Sequence, residues 1–378
     1  MKFLHLSDLH LGKRIYEYSL IEEQKDILLK ILDIINGEKI DGVFIAGDVY
    51  DKSVPSAEAV GLFDWFLSEL AKRKTPVFII SGNHDSPERI AFGSDIMKAS
   101  GVYLSPVYSG KILPITLQDE FGKINVYMLP FVKPLHVKRF FPDAEINGYT
   151  EAVKTAVSAM NIDKTARNIL ISHQFVTGAT RSESEETVGG LDNVDGEIFD
   201  VFDYVALGHL HKRQFCITDK IHYSGTPLKY SFSEMNDEKS ATIVEILKKG
   251  EGVRTRFVPL IPLREVKEIR GKFIDLISAG QKLGAKEKQD FYRIILTDEN
   301  DVPDAMSRLK KVYPNALCLL YDNARTKNAN KFIGEAQTEK SMLELFEEFY
   351  KLQNNAELKD VQKEHLASMI EEVEGGQL

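Results

Sequence analysis

A chain of 378 residues, 43% hydrophobic and 28% charged, has the composition of a soluble globular protein and is long enough for two or three domains. No apolar run approaches the roughly 20 residues of a bilayer span, and Cys216 and Cys318, far apart and outside any CxxC spacing, exclude a disulfide framework or zinc knuckle and fit a reducing cytoplasm. A formal net charge of −9 excludes a protein that grips nucleic acid by overall charge, since phosphate binding shows as a basic patch.

The chain opens on Lys2–Ser7, a strand-like run. Met1–Asp8 superficially resembles a signal peptide, but His5 and Asp8 interrupt any apolar core, and the segment reads as the first strand. Ser19–Asn36 carries Leu20, Ile27, Leu28, Ile31, Leu32 and Ile35 at helical spacing, with Gly37 placed to end it. Val43–Ala46 reads as a strand, Pro55–Lys72 as a helix striped with Leu62, Phe63, Phe66 and Leu70, and Val77–Ser81 as a strand again. After residue 110 strands dominate: Ile124–Leu129, Asn168–Ser172, Tyr204–Leu207, His222–Ser224 and Ala241–Leu247. The alternation is that of βαβ units, and the strand-rich tail predicts a second sheet packed on the first.

Pro259 and Pro262 bracket a boundary, because proline cannot continue a central strand. A βαβαβ-like unit follows: Val266–Ile269, Lys272–Leu283, Phe291–Leu296, Val302–Val312 and Ala316–Tyr321. After a polar linker, Asp322–Lys331, come two amphipathic helices separated by Gln353-Asn354-Asn355. The expected domains are therefore 1–259, 260–325 and 326–378. The middle unit is slightly basic, with 12 Lys/Arg against 10 Asp/Glu over 262–325, while 331–378 is acidic, with 5 against 11.

Five polar motifs stand out because each directly follows a strand-like run. They are Asp8-x-His10, Gly47-Asp48-x-x-Asp51, Gly82-Asn83-His84-Asp85, His173 and Gly208-His209-x-His211. In an open α/β sheet, ligands bind outside the carboxyl ends of the strands, so five such segments can converge on one site. Singly the Asp8-x-His10 and Gly47-Asp48 motifs are weak, and His209-x-His211 is stronger, because two imidazoles at a strand exit are costly to explain as core packing. Asp8 and His10 share one face of an extended segment, as many surface pairs do, and an Asp after Gly is often a turn residue or helix cap. Together they supply Asp8, His10, Asp48, Asn83, His173, His209 and His211, too many donors for one tetrahedral zinc but suited to two ions sharing a bridging carboxylate. Carboxylate, amide and imidazole donors without thiolate favour manganese, iron or a similar borderline ion.

The order of these motifs resembles that of the binuclear metallophosphoesterase family, in its break-repair nuclease branch. Ser7-Asp8-Leu9-His10-Leu11-Gly12, Asn83-His84-Asp85-Ser86, Val188-Gly189-Gly190-Leu191-Asp192, Ala206-Leu207-Gly208-His209-Leu210-His211 and Tyr223-Ser224-Gly225-Thr226-Pro227 carry the likeness. It implies an α/β fold: a two-sheet metallophosphoesterase sandwich flanked by helices, with a small α/β cap domain and a C-terminal helical pair. It further implies two divalent metal ions, with manganese the expected metal. Asp8, His10 and His211 would hold one ion and Asn83, His173 and His209 the other, with Asp48 bridging.

By the same resemblance His84 is not a ligand but faces the scissile phosphate. Chemistry suits it to the role: once water attacks phosphorus in line, the departing sugar oxygen needs a proton, and imidazole titrates near neutral pH. Asp51 stands where some relatives carry histidine. Asp85 either orients His84 or caps the following helix. Arg89 reaches a phosphate or pairs locally on the surface. His5 reads as packed or solvated, and His136, His222 and His365 match no ligand motif.

The expected function is that of a two-metal DNA phosphodiesterase acting on duplex ends as an exonuclease and on single strands and hairpins as an endonuclease. A homodimer would join a coiled-coil ATPase in a heterotetramer, Phe346, Phe349, Leu366 and Ile370 anchoring the ATPase in helix-in-groove fashion. The setting is cytoplasmic, at the nucleoid, with no membrane. Two rivals are a phosphomonoesterase or protein phosphatase of the same fold and an inactive scaffold. The first needs cations for a phosphate dianion, which the core motifs do not assign, and the complete donor set speaks against the second.

Overall fold

A computed structural model describes residues 1–180, 193–323, 326, 342–354 and 357–375. The Val188-Gly189-Gly190-Leu191-Asp192 stretch and most of the expected linker lie outside the described residues. The chain forms two compact units, Met1–Val266 and Lys267–Leu378.

In the first unit, strands and helices follow in the order β1 (Lys2–Leu6), α1 (Ile21–Glu38), β2 (Gly42–Ala46), α2 (Ala57–Lys72), β3 (Val77–Ile80), β4 (Val102–Leu104), β5 (Ile115–Asp119), β6 (Gly122–Leu129), α3 (Tyr149–Ser158), β7 (Arg167–His173), β8 (Tyr204–Gly208), β9 (Gln214–Cys216), β10 (Thr218–Tyr223), β11 (Ser240–Ile246) and β12 (Val253–Pro259). They build two six-stranded sheets, ordered β12–β11–β1–β2–β3–β4 and β9–β10–β8–β7–β6–β5. Strands β1 to β4 run parallel, as do β10, β8, β7 and β6, while antiparallel strands finish the outer parts of each sheet. The expected second sheet is thus present and packed on the first.

Side chains at every second position explain the packing. Phe3, Phe44, Ala46, Phe78 and Ile80 from one sheet form a single buried cluster with Val126, Met128, Ile169, Ile171, Tyr204 and Ala206 from the other. The alternate residues Tyr127, Leu129, Leu170, Val205 and Leu207 instead meet Ala152, Val153, Ala156 and Val157 of α3. With both faces covered, the central parallel strands read as unbroken apolar runs, and Val43 to Ala46 have no exposure at all. His5 is packed, not solvated: the Tyr204 hydroxyl meets its Nδ1 at 2.9 Å and its Nε2 lies 3.1 Å from the Leu207 carbonyl oxygen. A carbonyl can only accept, so Nε2 carries the proton and Nδ1 accepts from the tyrosine. Burial lowers the His5 pKa to about 3.

Two expected boundaries shift. Gly37 does not stop α1, which runs on to Glu38 and is closed by Lys39 in the left-handed region at φ 52°. The N–H groups of Lys39 and Ile40 both return to the Ile35 carbonyl, and Ile40 is buried, so the apolar contact after the turn decides where the helix ends. Pro55 precedes α2 instead of starting it: Ser56 is the N-cap, accepting from the Ala59 N–H at 3.2 Å.

The second unit holds β13 (Val266–Gly271), α4 (Phe273–Lys282), β14 (Phe291–Leu296), α5 (Ala305–Leu309) and β15 (Ala316–Tyr321), the sheet order being β13–β14–β15. Helix α5 is shorter than expected, because Pro303 precedes Asp304, which sits in the left-handed region as its N-cap at φ 51°. Phe273, Leu276, Tyr292, Ile294, Leu309 and Tyr313 form the core of this unit. Helices α6 (Met342–Asn354) and α7 (Asp360–Gly375) follow, with Phe346 and Phe349 exposed and Leu366 and Ile370 half-buried. No helix among the described residues is long and apolar enough to cross a membrane.

Candidate metal centre

The five strand-end motifs come together where the carboxyl ends of β1, β2 and β3 meet those of β7 and β8. Convergence does not come from strand alternation, because Asp8 and His10 lie beyond β1. Both have positive φ, 52° and 42°, as do Asp48 at 48° and His209 at 100°. Such strained conformations in non-glycine residues persist only where surrounding contacts over-determine them. Here the Asp8 N–H donates to the Gly47 carbonyl at 3.0 Å and the His10 N–H to the Asp48 carbonyl at 2.9 Å, tying the two turns together. Across the sheets, the His209 N–H donates to the Asp8 carboxylate at 3.0 Å.

Three groups of potential ligand atoms each lie within 4.8 Å of one another among the described residues: Asp8, His10 and His211; His10, Asp51 and His84; and Asp8, Asp48 and His173. Asn83 joins the third, its Oδ1 lying 2.9 Å from His173 Nε2 and 3.0 Å from His209 Nδ1. Asp48 Oδ2 lies 3.4 Å from His173 Nε2 and 3.7 Å from His10 Nε2. Asp8, His10, Asp48, His173 and His211 are buried, whereas Asn83 and His84 face solvent.

Electrostatics follow from this crowding. Burial raises the Asp8 pKa to about 6, the nearby imidazoles opposing the rise. Burial also works against ionising Asp48, but the imidazoles of His173 and His10 overcome it and hold its carboxyl far below the usual range. His173 shows the reverse: despite burial, the Asp48 carboxylate raises its pKa to about 9. His10 is driven well below its ordinary value by burial, and both its buried ring nitrogens lack a hydrogen-bond partner among the described residues.

Orphaned buried nitrogens are costly unless something outside the protein uses them. Two buried carboxylates, an amide oxygen and several imidazoles aimed into one space, with both cysteines elsewhere, make a donor set that fits hard or borderline divalent cations. His173 Nδ1 is committed to the Ala46 carbonyl at 2.8 Å and His211 Nδ1 to Glu234 at 3.1 Å, leaving Nε2 as the ligand atom of each ring.

The glycines of the motifs now have a reason. A Cβ at Gly82 would lie 2.1 Å from Asp48 Oδ1, one at Gly47 2.4 Å from His173 Nδ1, and one at Gly208 1.9 Å from the Ala46 carbonyl oxygen.

On the exposed side of the centre, the His84 N–H donates to Asp48 Oδ1 at 2.8 Å and its Nδ1 donates to the Asp51 carbonyl at 3.0 Å. The His84 ring stands edge-on to His10, with centroids 4.9 Å apart. Asp51 thus orients His84 through its main chain, while its carboxylate lies 2.8 Å from Lys13 Nζ and 3.8 Å from His10 Nδ1.

Asp85 does neither of the things expected of it. Ser86 caps the following turn, and the Asp85 carboxylate accepts from the backbone N–H groups of Val49 at 3.1 Å, Tyr50 at 2.9 Å and Gly82 at 2.9 Å, pinning the Asp48 turn to the Asn83 turn. Burial, then the Asp48 charge, raises its pKa to about 6. Arg89 is exposed, and its guanidinium donates to the Ser53 carbonyl.

Sequence reading missed Glu234, Gln24 and Tyr230. Gln24 Nε2 donates to the His10 carbonyl at 2.7 Å, and the Tyr230 hydroxyl to the Leu9 carbonyl. None adjoins a motif in sequence.

The chain is similar to known proteins over most of its length. The calcineurin-like phosphoesterase family profile matches residues 1–213, and the Type 5 capsule protein repressor C-terminal domain profile matches 262–354. The SbcD subunit of the nuclease SbcCD from Staphylococcus epidermidis is 35% identical over 384 residues, covering 99% of this chain and 100% of that protein. Among solved structures, a dimetal phosphatase from Danio rerio aligns over 69% of this chain and 99% of its own, at 10% identity and TM-score 0.41. A protein from Thermus thermophilus aligns over 68% and 98%, at 11% identity and TM-score 0.37.

Proposed function

This chain belongs to the calcineurin-like phosphoesterase family and, within it, to the SbcD nucleases, and from that premise we propose that it is the metal-dependent nuclease subunit of an SbcCD complex. It cuts duplex DNA from its ends as an exonuclease and single strands and hairpins as an endonuclease, serving DNA repair, recombination and replication. The observation that supports this reading best is the meeting of carboxylate, amide and imidazole donors from both sheets in one strand-end crevice, with His84 beside them.

Asp8, His10 and His211 would hold one divalent ion and Asn83, His173 and His209 a second, with Asp48 available to both; manganese is the metal we assign. When bound, such ions place positive charge on the phosphoryl oxygens and make an attacking water a better nucleophile. The chain's own contribution is orientation and proton transfer. With Nδ1–H donated to the Asp51 carbonyl, His84 in its protonated form presents Nε2–H to the departing sugar oxygen. Asp51 and Asp85 support the site from behind, and Arg89 lies where it can contact a flanking phosphate.

We assign 1–259 to the nuclease domain, 260–325 to a cap that presents DNA, and 326–378 to a linker and helix pair that docks on an SbcC-type coiled-coil ATPase. Phe346, Phe349, Leu366 and Ile370 are the anchors, and two copies of the chain join two of the ATPase in the cytoplasm, at the nucleoid. Manganese-dependent cleavage of a DNA hairpin, compared with that of a phosphomonoester, tests the reading. Hairpin cleavage is expected, and monoesterase activity alone would overturn it.

A further inference from the structure

His211 is gripped from behind by a loop that no strand-end motif contains. Glu234 ends a short helical turn, Phe232–Glu234, and is fully buried. Its Oε1 accepts from His211 Nδ1 at 3.1 Å and from Ser231 Oγ at 3.3 Å, and its Oε2 from Lys239 Nζ at 2.7 Å and Thr226 Oγ1 at 3.2 Å. The same loop holds the His211 main chain: its carbonyl accepts from the Thr226 N–H and from Lys239 Nζ, both at 3.0 Å. Ring and backbone of this histidine are therefore fixed by one device, in which Lys239 supplies the countercharge that lets a carboxylate sit wholly inside the protein.

Resting on the metallonuclease reading above, we propose that Glu234 is the positioning residue for one of the two ions, with Lys239 and Thr226 holding it in place. A carboxylate can only accept, so the proton of a neutral His211 is confined to Nδ1 and the lone pair to Nε2, the nitrogen that would then serve a cation shared with Asp8 and His10. Without Glu234 the ring can adopt the other tautomer or rotate. The loss then falls on the ion that His211 serves, not on the one held by Asn83, His173 and His209.

The test is calorimetric titration of manganese(II) into the metal-free full-length chain, with 15N NMR of the His211 ring and thermal melting of the metal-free protein alongside. In Glu234→Gln, affinity for one ion should fall on the order of 10–100-fold, the other should hold, the Nδ1–H signature of His211 should weaken and the metal-free melting temperature should stay near wild type. A paired variant, Glu234→Leu with Lys239→Met, removes both buried charges together and should show the same one-ion loss even where the single substitution folds poorly. Wild-type affinity for both ions in either variant would overturn the proposal. So would equal weakening of both ions together with a collapse of metal-free stability, which marks a merely structural part. A wild-type chain that binds no manganese at all overturns the metallonuclease reading itself, and this inference with it.

Discussion

Replacing Gly208 with alanine tests how closely the two sheets must approach. Gly208 ends β8 opposite His173 of β7. A Cβ there would lie 1.9 Å from the Ala46 carbonyl oxygen of β2 and 2.8 Å from His173 Nδ1, which already donates to that carbonyl at 2.8 Å. Both obstacles are held in place, one a backbone atom and the other a buried ring, so strands must part by about 1.5 Å to bring the 1.9 Å approach to ordinary contact at 3.4 Å. Overpacking of this kind costs about 1–3 kcal/mol, and the strained or lost His173 hydrogen bond adds about 1 kcal/mol. We expect urea unfolding of metal-free Gly208→Ala to show a loss of roughly 2–4 kcal/mol by these two contributions. Hairpin cleavage should fall about 100-fold through displacement of His173, as roughly 1 Å misplacements do. Gly61 is the control: it lies within α2, a Cβ there meets nothing within 4 Å, and Gly61→Ala should stabilise by about 1 kcal/mol. A Gly208→Ala protein as stable and active as wild type would refute the close-approach argument.

Three further outcomes are expected. His84→Asn should lower hairpin cleavage by about 10²–10⁴-fold at intact manganese occupancy, and an unchanged rate would remove His84 as proton donor. Buried neutral His5, with a folded pKa of about 3 against an ordinary 6.5, contributes stability that is full above pH 6.5 and lost as pH falls toward 3. Between pH 7 and 4 that amounts to about 3 kcal/mol, so metal-free His5→Gln should unfold with a shallower acid dependence than wild type. Parallel curves would show that the His5 environment is not as described. Finally, chelation should abolish cleavage, and restoring manganese to about 100 times its dissociation constant should raise stability by about 2.7 kcal/mol. A melting temperature indifferent to metal would argue against a built site.

The polar residues that meet at the strand ends were legible because each motif sits directly after an apolar run, where a polar side chain needs a separate reason. What sequence could not supply was everything that depends on partners distant along the chain. Glu234, Gln24 and Tyr230 act on His211, His10 and Leu9 only because the fold brings them there. Asp85 read either as orienting His84 or as a helix cap, yet Ser86 caps the turn and the Asp85 carboxylate serves three backbone groups on two turns. The glycines at 47, 82 and 208 were visible as motif letters. Their necessity lies in distances to Asp48, His173 and Ala46 that exist only after the sheets have packed. The end of α1 went wrong for a related reason: a glycine signal lost to the burial of Ile40 after the turn.

Two of the three clusters of ligand atoms draw on both halves of the sandwich: Asp8 and His10 follow β1 but meet His211 beyond β8, and Asp8 and Asp48 meet His173 at the end of β7. The third, His10, Asp51 and His84, belongs to the first sheet alone, so neither sheet by itself carries all the donors. A nascent or partly unfolded chain therefore lacks the assembled donor set, which exists only once the interface between the sheets has closed. For a nuclease, the order of folding doubles as a safety catch, and damage that loosens the sandwich disarms the molecule before it destroys it.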